Sequence, residues 1–109
     1  MSRAVGDIGE EKAVTYLQQH DFSIVDRNVS SRFGEIDIIA IKNEVLHFVE
    51  VKSSYNYDIA VQNITPKKMQ KFIRTVDVYI KKHHLDLDYC IDALIVTPED
   101  ITLIENITL

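Results

Sequence analysis

Two apolar stretches separated by a short polar interval constrain this chain more than anything else in it. Glu35-Ile36-Asp37-Ile38-Ile39-Ala40-Ile41 and Val45-Leu46-His47-Phe48-Val49-Glu50-Val51-Lys52 flank Lys42-Asn43-Glu44, a pattern that predicts a β-hairpin. With the turn centred between Asn43 and Glu44, Asp37 opposes Glu50, Glu35 opposes Lys52, Ile39 opposes Phe48 and Ile41 opposes Leu46 on one face. Ile36 with Val51, Ile38 with Val49 and Ala40 with His47 then fill the other. Both faces are largely apolar, so the hairpin needs a cover on each side, which predicts three layers with a sheet in the middle.

The covers are readable as helices. Glu10, Ala13, Val14 and Leu17 recur at spacings of three and four within Gly9 to His20, which puts them on one helical face. Further on, Thr65 is a good N-cap and Pro66 suits the first helical position, after which Met69, Phe72, Ile73, Val76 and Ile80 form a clean stripe. Phe22 to Val29 reads as a short strand, Ser53 to Asn63 as an irregular loop, and Cys90 to Val96 with Ile101 to Ile104 as two strands around Thr97-Pro98-Glu99-Asp100. The expected order is α-β-β-β-α-β-β, a mixed sheet with helices on both faces. At 109 residues this is one domain spanning 1–109, and 3 Gly and 2 Pro are too few turn residues for a many-stranded barrel.

Net charge is −5, which by itself argues against a nucleic-acid partner. The distribution reverses that inference. From Thr65 to His84 six basic residues, Lys67, Lys68, Lys71, Arg74, Lys81 and Lys82, face the single acid Asp77, so this segment is +5 and the rest −10. Lys67, Lys68 and Lys71 crowd the first turns of their helix, where the macrodipole opposes cations and a bound polyanion would offset the cost. A merely solvated lysine face would carry the same residues.

No apolar region follows Arg3 and no run is long enough to span a bilayer, so the expectation is a cytoplasmic chain with no membrane association. Cys90 is the only cysteine, and with no Cys-x-x-Cys or Cys/His pairing in the sequence it reads as a small hydrophobe rather than a zinc ligand. His47 reads as a packed histidine, and His83-His84 as solvated residues ending the second helix. Tyr55 and Tyr57 either stack on bases or cover the core.

The residues that carry chemistry are Glu10, Asp37, Glu50 and Lys52. Alternation turns Glu50 and Lys52 to one face, where the expected register adds Asp37. Two carboxylates facing each other across a hairpin are destabilising unless a cation lies between them. Magnesium, or manganese, suits such hard oxygens, and the backbone carbonyl of Val51 would add a third ligand. Lys52 beside that ion would orient or deprotonate a water, or stabilise charge on a phosphate in the transition state. The same charges would also serve as an ordinary cross-strand ion-pair network. Glu10 in an apolar stripe, Gly34 at the entrance of the strand and the basic helix favour the metal.

Gly6-x-x-Gly9-Glu10-x-x-Ala13-x-x-Tyr16-Leu17, then Arg27-Asn28, Arg32-x-Gly34-Glu35-Ile36-Asp37, Phe48-Val49-Glu50-Val51-Lys52, Lys68 and Asp92 together resemble the YraN family of small bacterial proteins. That resemblance implies the PD-(D/E)XK nuclease superfamily and a restriction-endonuclease-like fold similar to archaeal Holliday-junction resolvases. It also implies that Asp37, Glu50 and Lys52 hold the nuclease core positions and that Glu10 matches the helix-borne glutamate. Ser53-Ser54 stand where the family usually has Thr-Arg, His20-Asp21 replace the usual Gly, and Ile91 replaces an aromatic.

The expected function is therefore a magnesium-dependent DNA endonuclease acting on branched or damaged DNA. Contacts to the DNA would come from Lys67, Lys68 and Lys71, or from Arg27 and Arg32, and by resemblance the chain would work as a homodimer. The rival expectation is a catalytically weak nucleic-acid-binding or scaffolding protein on the same fold.

Overall fold

The computed structural model describes residues 3–107. Helix α1 (Arg3–Gln19) leads into β1 (Ser23–Ser30), β2 (Glu35–Lys42) and β3 (Val45–Ser53); a short α2 (Tyr57–Gln62) and α3 (Pro66–Lys82) precede β4 (Asp88–Val96) and β5 (Ile101–Ile104). The strands form one sheet in the order β1-β2-β3-β4-β5. Only the β3–β4 pairing is parallel, so the sheet is mixed. The chain is thus α/β, and β3, at the centre, is paired on both sides.

Why these residues make this sheet is clearest at the β2–β3 turn. Asn43 and Glu44 have φ of 52° and 64°, the pair of left-handed residues that a two-residue type I′ hairpin needs. From that turn the ladder runs Lys42↔Val45, Ile41↔Leu46, Ala40↔His47, Ile39↔Phe48 and Ile38↔Val49, as the sequence predicts. There it stops. The expected pairs Ile36 with Val51, Asp37 with Glu50 and Glu35 with Lys52 do not form, because Asp37 intervenes in a way described below.

Each face of the sheet has its helix. Ala13, Val14 and Leu17 of α1 pack with Phe22, Ile38, Ala40, Val49, Leu94 and Val96. Met69, Phe72, Val76 and Tyr79 of α3 pack with Ile39, Leu46, Phe48 and Ile91 on the other side. Ile36 departs from the expected alternation: it belongs with the α3 side although Ile38, of the same parity, faces α1. Strand β2 has therefore turned about its axis at Asp37, the point where it leaves β3.

The segment expected as a loop contains a helix. Asn56 caps α2 by accepting from the N–H groups of Asp58 and Ile59 at 2.8 and 3.3 Å, and Ala60 is buried against Ala93 and Ile95. Six residues with one buried side chain leave no periodicity to detect. Tyr55 and Tyr57 do not cover the core; they are 90% and 41% exposed. Helix α3 begins at Pro66 with the Thr65 side chain accepting from the Lys68 N–H at 3.2 Å, as predicted. No helix among the described residues is long and apolar enough to cross a membrane.

Candidate functional site

The first site is built around Asp37. Its carboxylate Oδ2 accepts the Val51 N–H at 2.8 Å, standing in for the ladder carbonyl that β2 would otherwise supply. A backbone N–H of a strand lies in the plane of the sheet, so the carboxylate is lodged in the opening between β2 and β3 rather than above it. The N–H and C=O of one strand residue point the same way, which directs the Val51 carbonyl into the same opening.

Electrostatics in this opening are unbalanced. Burial, offset in part by the Val51 hydrogen bond and reinforced by the charges of Glu50, Glu10 and Glu35, pushes the Asp37 carboxyl up to about 6. Burial also raises Glu50, against the lowering effect of Lys52 and of Lys68 from α3. Lys52 Nζ lies 4.0 Å from Glu50 Oε1, at the outer limit of an ion pair. Neither lysine neutralises Asp37, so two carboxyl groups held above their ordinary range share one space.

Glu10, expected on the first helix near the two carboxylates, is held there by Arg27. Arg27 donates to Glu10 Oε1 from Nε at 3.3 Å and from Nη2 at 3.1 Å, and Nη2 also reaches Glu11 at 2.6 Å. The glutamate hydrogen bonds raise the Arg27 guanidinium above its already high value. Arg27 is thus committed to α1, and Glu10 reaches Asp37 through its charge alone. Helix α1 passes close to the end of β3 here, since a Cβ on Gly9 would collide with the Ser53 side chain.

Arg32 joins α3. The Ser31 N–H donates to the Gly34 carbonyl at 2.8 Å, closing a tight turn, and the Ser31 and Thr75 hydroxyls lie 2.8 Å apart. The guanidinium groups of Arg32 and Arg74 sit 4.9 and 5.4 Å from the centre of the Phe33 ring. Gly34 sits beside Lys71 and Thr75, where a Cβ would make only ordinary van der Waals contact. Arg32, Lys67, Lys68, Lys71 and Arg74 are all exposed, so the turn and the helix make one basic face, with Lys68 near enough to Glu50 to affect it.

A second cluster was missed by sequence reasoning. His47 Nδ1 lies 2.6 Å from Asp92 Oδ2 and 3.1 Å from Cys90 Sγ, and the Asn106 N–H donates to Asp92 Oδ1 at 2.9 Å. His47 is 7% exposed and Asp92 not at all. Among the described residues these three are the only group of three possible ligands whose donor atoms all lie within 4.8 Å of one another. Burial and Asp92 push the Cys90 thiol up to about 12, so it is not an activated nucleophile. His47 is not simply packed, and Cys90 does have histidine and carboxylate company. The parallel β3–β4 register that sets His47 beside Cys90 is what brings them together, and nothing in the local sequence encodes it.

Comparison with known proteins gives the chain its relatives. The model of the uncharacterised protein family UPF0102 matches residues 9–96. A UPF0102 protein of Sulfurimonas denitrificans is 59% identical over 109 residues, covering all of both chains. One from Aliarcobacter butzleri is 47% identical over 110 residues with the same full coverage. One from Helicobacter pylori is 49% identical over 106 residues, 97% of this chain and 92% of the relative.

Proposed function

The chain belongs to the UPF0102 family, also called YraN, and from that premise we propose that it is a divalent-metal-dependent DNA endonuclease of the PD-(D/E)XK superfamily, with a restriction-endonuclease-like fold. The observation that carries the reading is the Asp37 carboxylate: lodged in the sheet opening, raised to about 6 and facing further carboxylates, with no basic side chain among the described residues paired to it. Such a conflict is resolved by a hard cation.

The residues present fit magnesium or manganese. Asp37 gives one oxygen to Val51 N–H and keeps the other, Glu50 adds a carboxylate, and the Val51 carbonyl faces the same opening, so every donor is oxygen. A metal held there would supply neutralisation of a phosphate and a more acidic water. Lys52, 4.0 Å from Glu50, is placed to orient that water or to stabilise charge on the phosphate. The basic face of Arg32, Arg74, Lys67, Lys68 and Lys71 adjoins Glu50 through Lys68, so a duplex held by its backbone on α3 would bring a phosphate towards the carboxylates. Tyr55, exposed, is free to stack on a base. Residues 1–109 act as one endonuclease-like domain in a cytoplasmic homodimer whose preferred substrate is branched or damaged DNA.

Purified protein should cut a panel of linear, single-stranded and four-way-junction DNAs with magnesium or manganese and stop when chelator is added. Lys52→Ala should abolish cutting while DNA and metal still bind, and Asp37→Ala should lose both cutting and metal. The capture of Glu10 by Arg27 favours one other reading, a nucleic-acid-binding protein with a weak or silent centre. That reading wins if no DNA is cut with either metal and Asp37→Ala tightens DNA binding.

A further inference from the structure

The His47, Cys90 and Asp92 cluster lies on the α1 side of β3 and β4, towards the start of both strands, whereas Asp37 and Glu50 lie at the end of β3. His47 and Cys90 are direct partners in the parallel ladder, and Asp92 follows two residues later on the same face. An imidazole nitrogen, a thiol and a carboxylate therefore project side by side from the central pair of strands in the sheet.

We propose that these three side chains form a second metal site, for a borderline-soft transition ion of the zinc class, distinct in place and in chemistry from the oxygen-lined opening at Asp37. The donor set decides the class of ion. Thiolate with imidazole selects zinc and its neighbours over magnesium, manganese or calcium. Four-coordinate zinc, with bonds of about 2.0 Å to nitrogen or oxygen and 2.3 Å to sulfur, holds its donors roughly 3.3–3.5 Å apart. The observed 2.6 Å between Nδ1 and Oδ2 and 3.1 Å between Nδ1 and Sγ need only small side-chain rotations to reach that spacing. Asp92 is oriented in advance, because its second oxygen is fixed by the Asn106 N–H, the kind of outer hydrogen bond that aims a ligating carboxylate.

A proton relay does not account for the cluster. Carboxylate and thiol approach the same imidazole nitrogen, so the ring cannot pass a proton from one to the other as in a nucleophile, base and acid series. Three ligand atoms of this kind, all within 4.8 Å of one another, are what a cation requires. On binding, the Cys90 thiol proton and any proton on Nδ1 leave to solvent and the ion takes their place. Cys90 is only partly buried, which gives the ion a way in, and three protein ligands leave a fourth position for water.

Cobalt(II) is the probe, because a thiolate ligand gives it an intense charge-transfer band and Cys90 is the only cysteine in the chain. The metal-free wild-type protein should develop that band with one equivalent of cobalt and lose it to one equivalent of zinc. Cys90→Ser should remove the band, His47→Gln should weaken zinc binding at least about tenfold, and Asp37→Asn should leave both unchanged. The wild-type spectrum alone is decisive even if a variant folds poorly: cobalt bound without a thiolate band overturns the site. So does a zinc affinity that Cys90→Ser and His47→Gln leave unaltered.

Discussion

Burial and its carboxylate neighbours hold the Asp37 carboxyl at about 6 in the folded protein, against an ordinary value near 3.8 when unfolded. A carboxyl whose folded value lies above its unfolded one binds its proton more tightly when folded, so ionising it costs stability. That cost is absent below about pH 4 and is fully incurred once pH has risen through 6. Asp37→Asn keeps an oxygen for the Val51 N–H and removes the charge. It should therefore stabilise the metal-free protein by about 1–2 kcal/mol at pH 7.5, less than the shift alone would give because the group retains some solvent. The gain should fade as pH falls from 6 to 4, measured by urea unfolding across that range. Magnesium should narrow the gap at pH 7.5 by stabilising the wild type alone. A variant no more stable than wild type at pH 7.5 without metal would show that the charge is compensated by something other than a cation. Arg27 shows the limit of reading at this scale: its identity suggested a phosphate contact, but Glu10 and Glu11 lie on the helical turn facing it and capture it first.

Among elements, the hairpin and α3 were the most readable from sequence because each is specified locally. A two-residue turn fixes the β2–β3 register, and a cap, a proline and a five-residue apolar stripe fix the helix. What escaped notice depends on partners far along the chain. Helix α2 exists because Asn56 caps it and Ala60 finds Ala93, and the rotation of β2 at Asp37 accompanies a side chain replacing a ladder carbonyl. The basic face of α3 is readable as charge, but its union with Arg32 is not, since that needs the Ser31 to Gly34 turn to dock on Thr75. If α3 holds the DNA backbone, replacing Lys67, Lys68 and Lys71 together with glutamine should weaken binding. It should also flatten the plot of log affinity against log salt by roughly one unit for each phosphate that is no longer neutralised. Titrations at several salt concentrations check this, and an unchanged slope would move the binding surface off α3.

For the molecule as a whole, β2, β3 and β4 each have a strand on both sides and side chains in both helical layers, with β3 at the centre, while β1 and β5 are edges. The β1–β2 register is irregular between Ile24 and Asp26, and β5 has only four residues. Stability should be distributed accordingly, with Ile38 to Ala40, Phe48, Val49 and Ala93 to Ile95 opening only on global unfolding. Native-state hydrogen exchange should find the amides of β1 and β5 at least about tenfold faster than these, equivalent to about 1.4 kcal/mol or more of easier opening. The Val51 amide tests how the site is joined to this frame. It lies in the central strand, yet its acceptor is the Asp37 carboxylate rather than a ladder carbonyl. In Asp37→Ala its protection should collapse to that of an edge amide while Val49, two residues away and still paired with Ile38, keeps its own. If both lose protection together, the opening between β2 and β3 is part of the cooperative core and Asp37 braces the sheet. If Val51 alone is released, the core ends at Ile38 and Val49, and the carboxylate sits on a rigid frame without being needed to hold it, which leaves it free for a ligand.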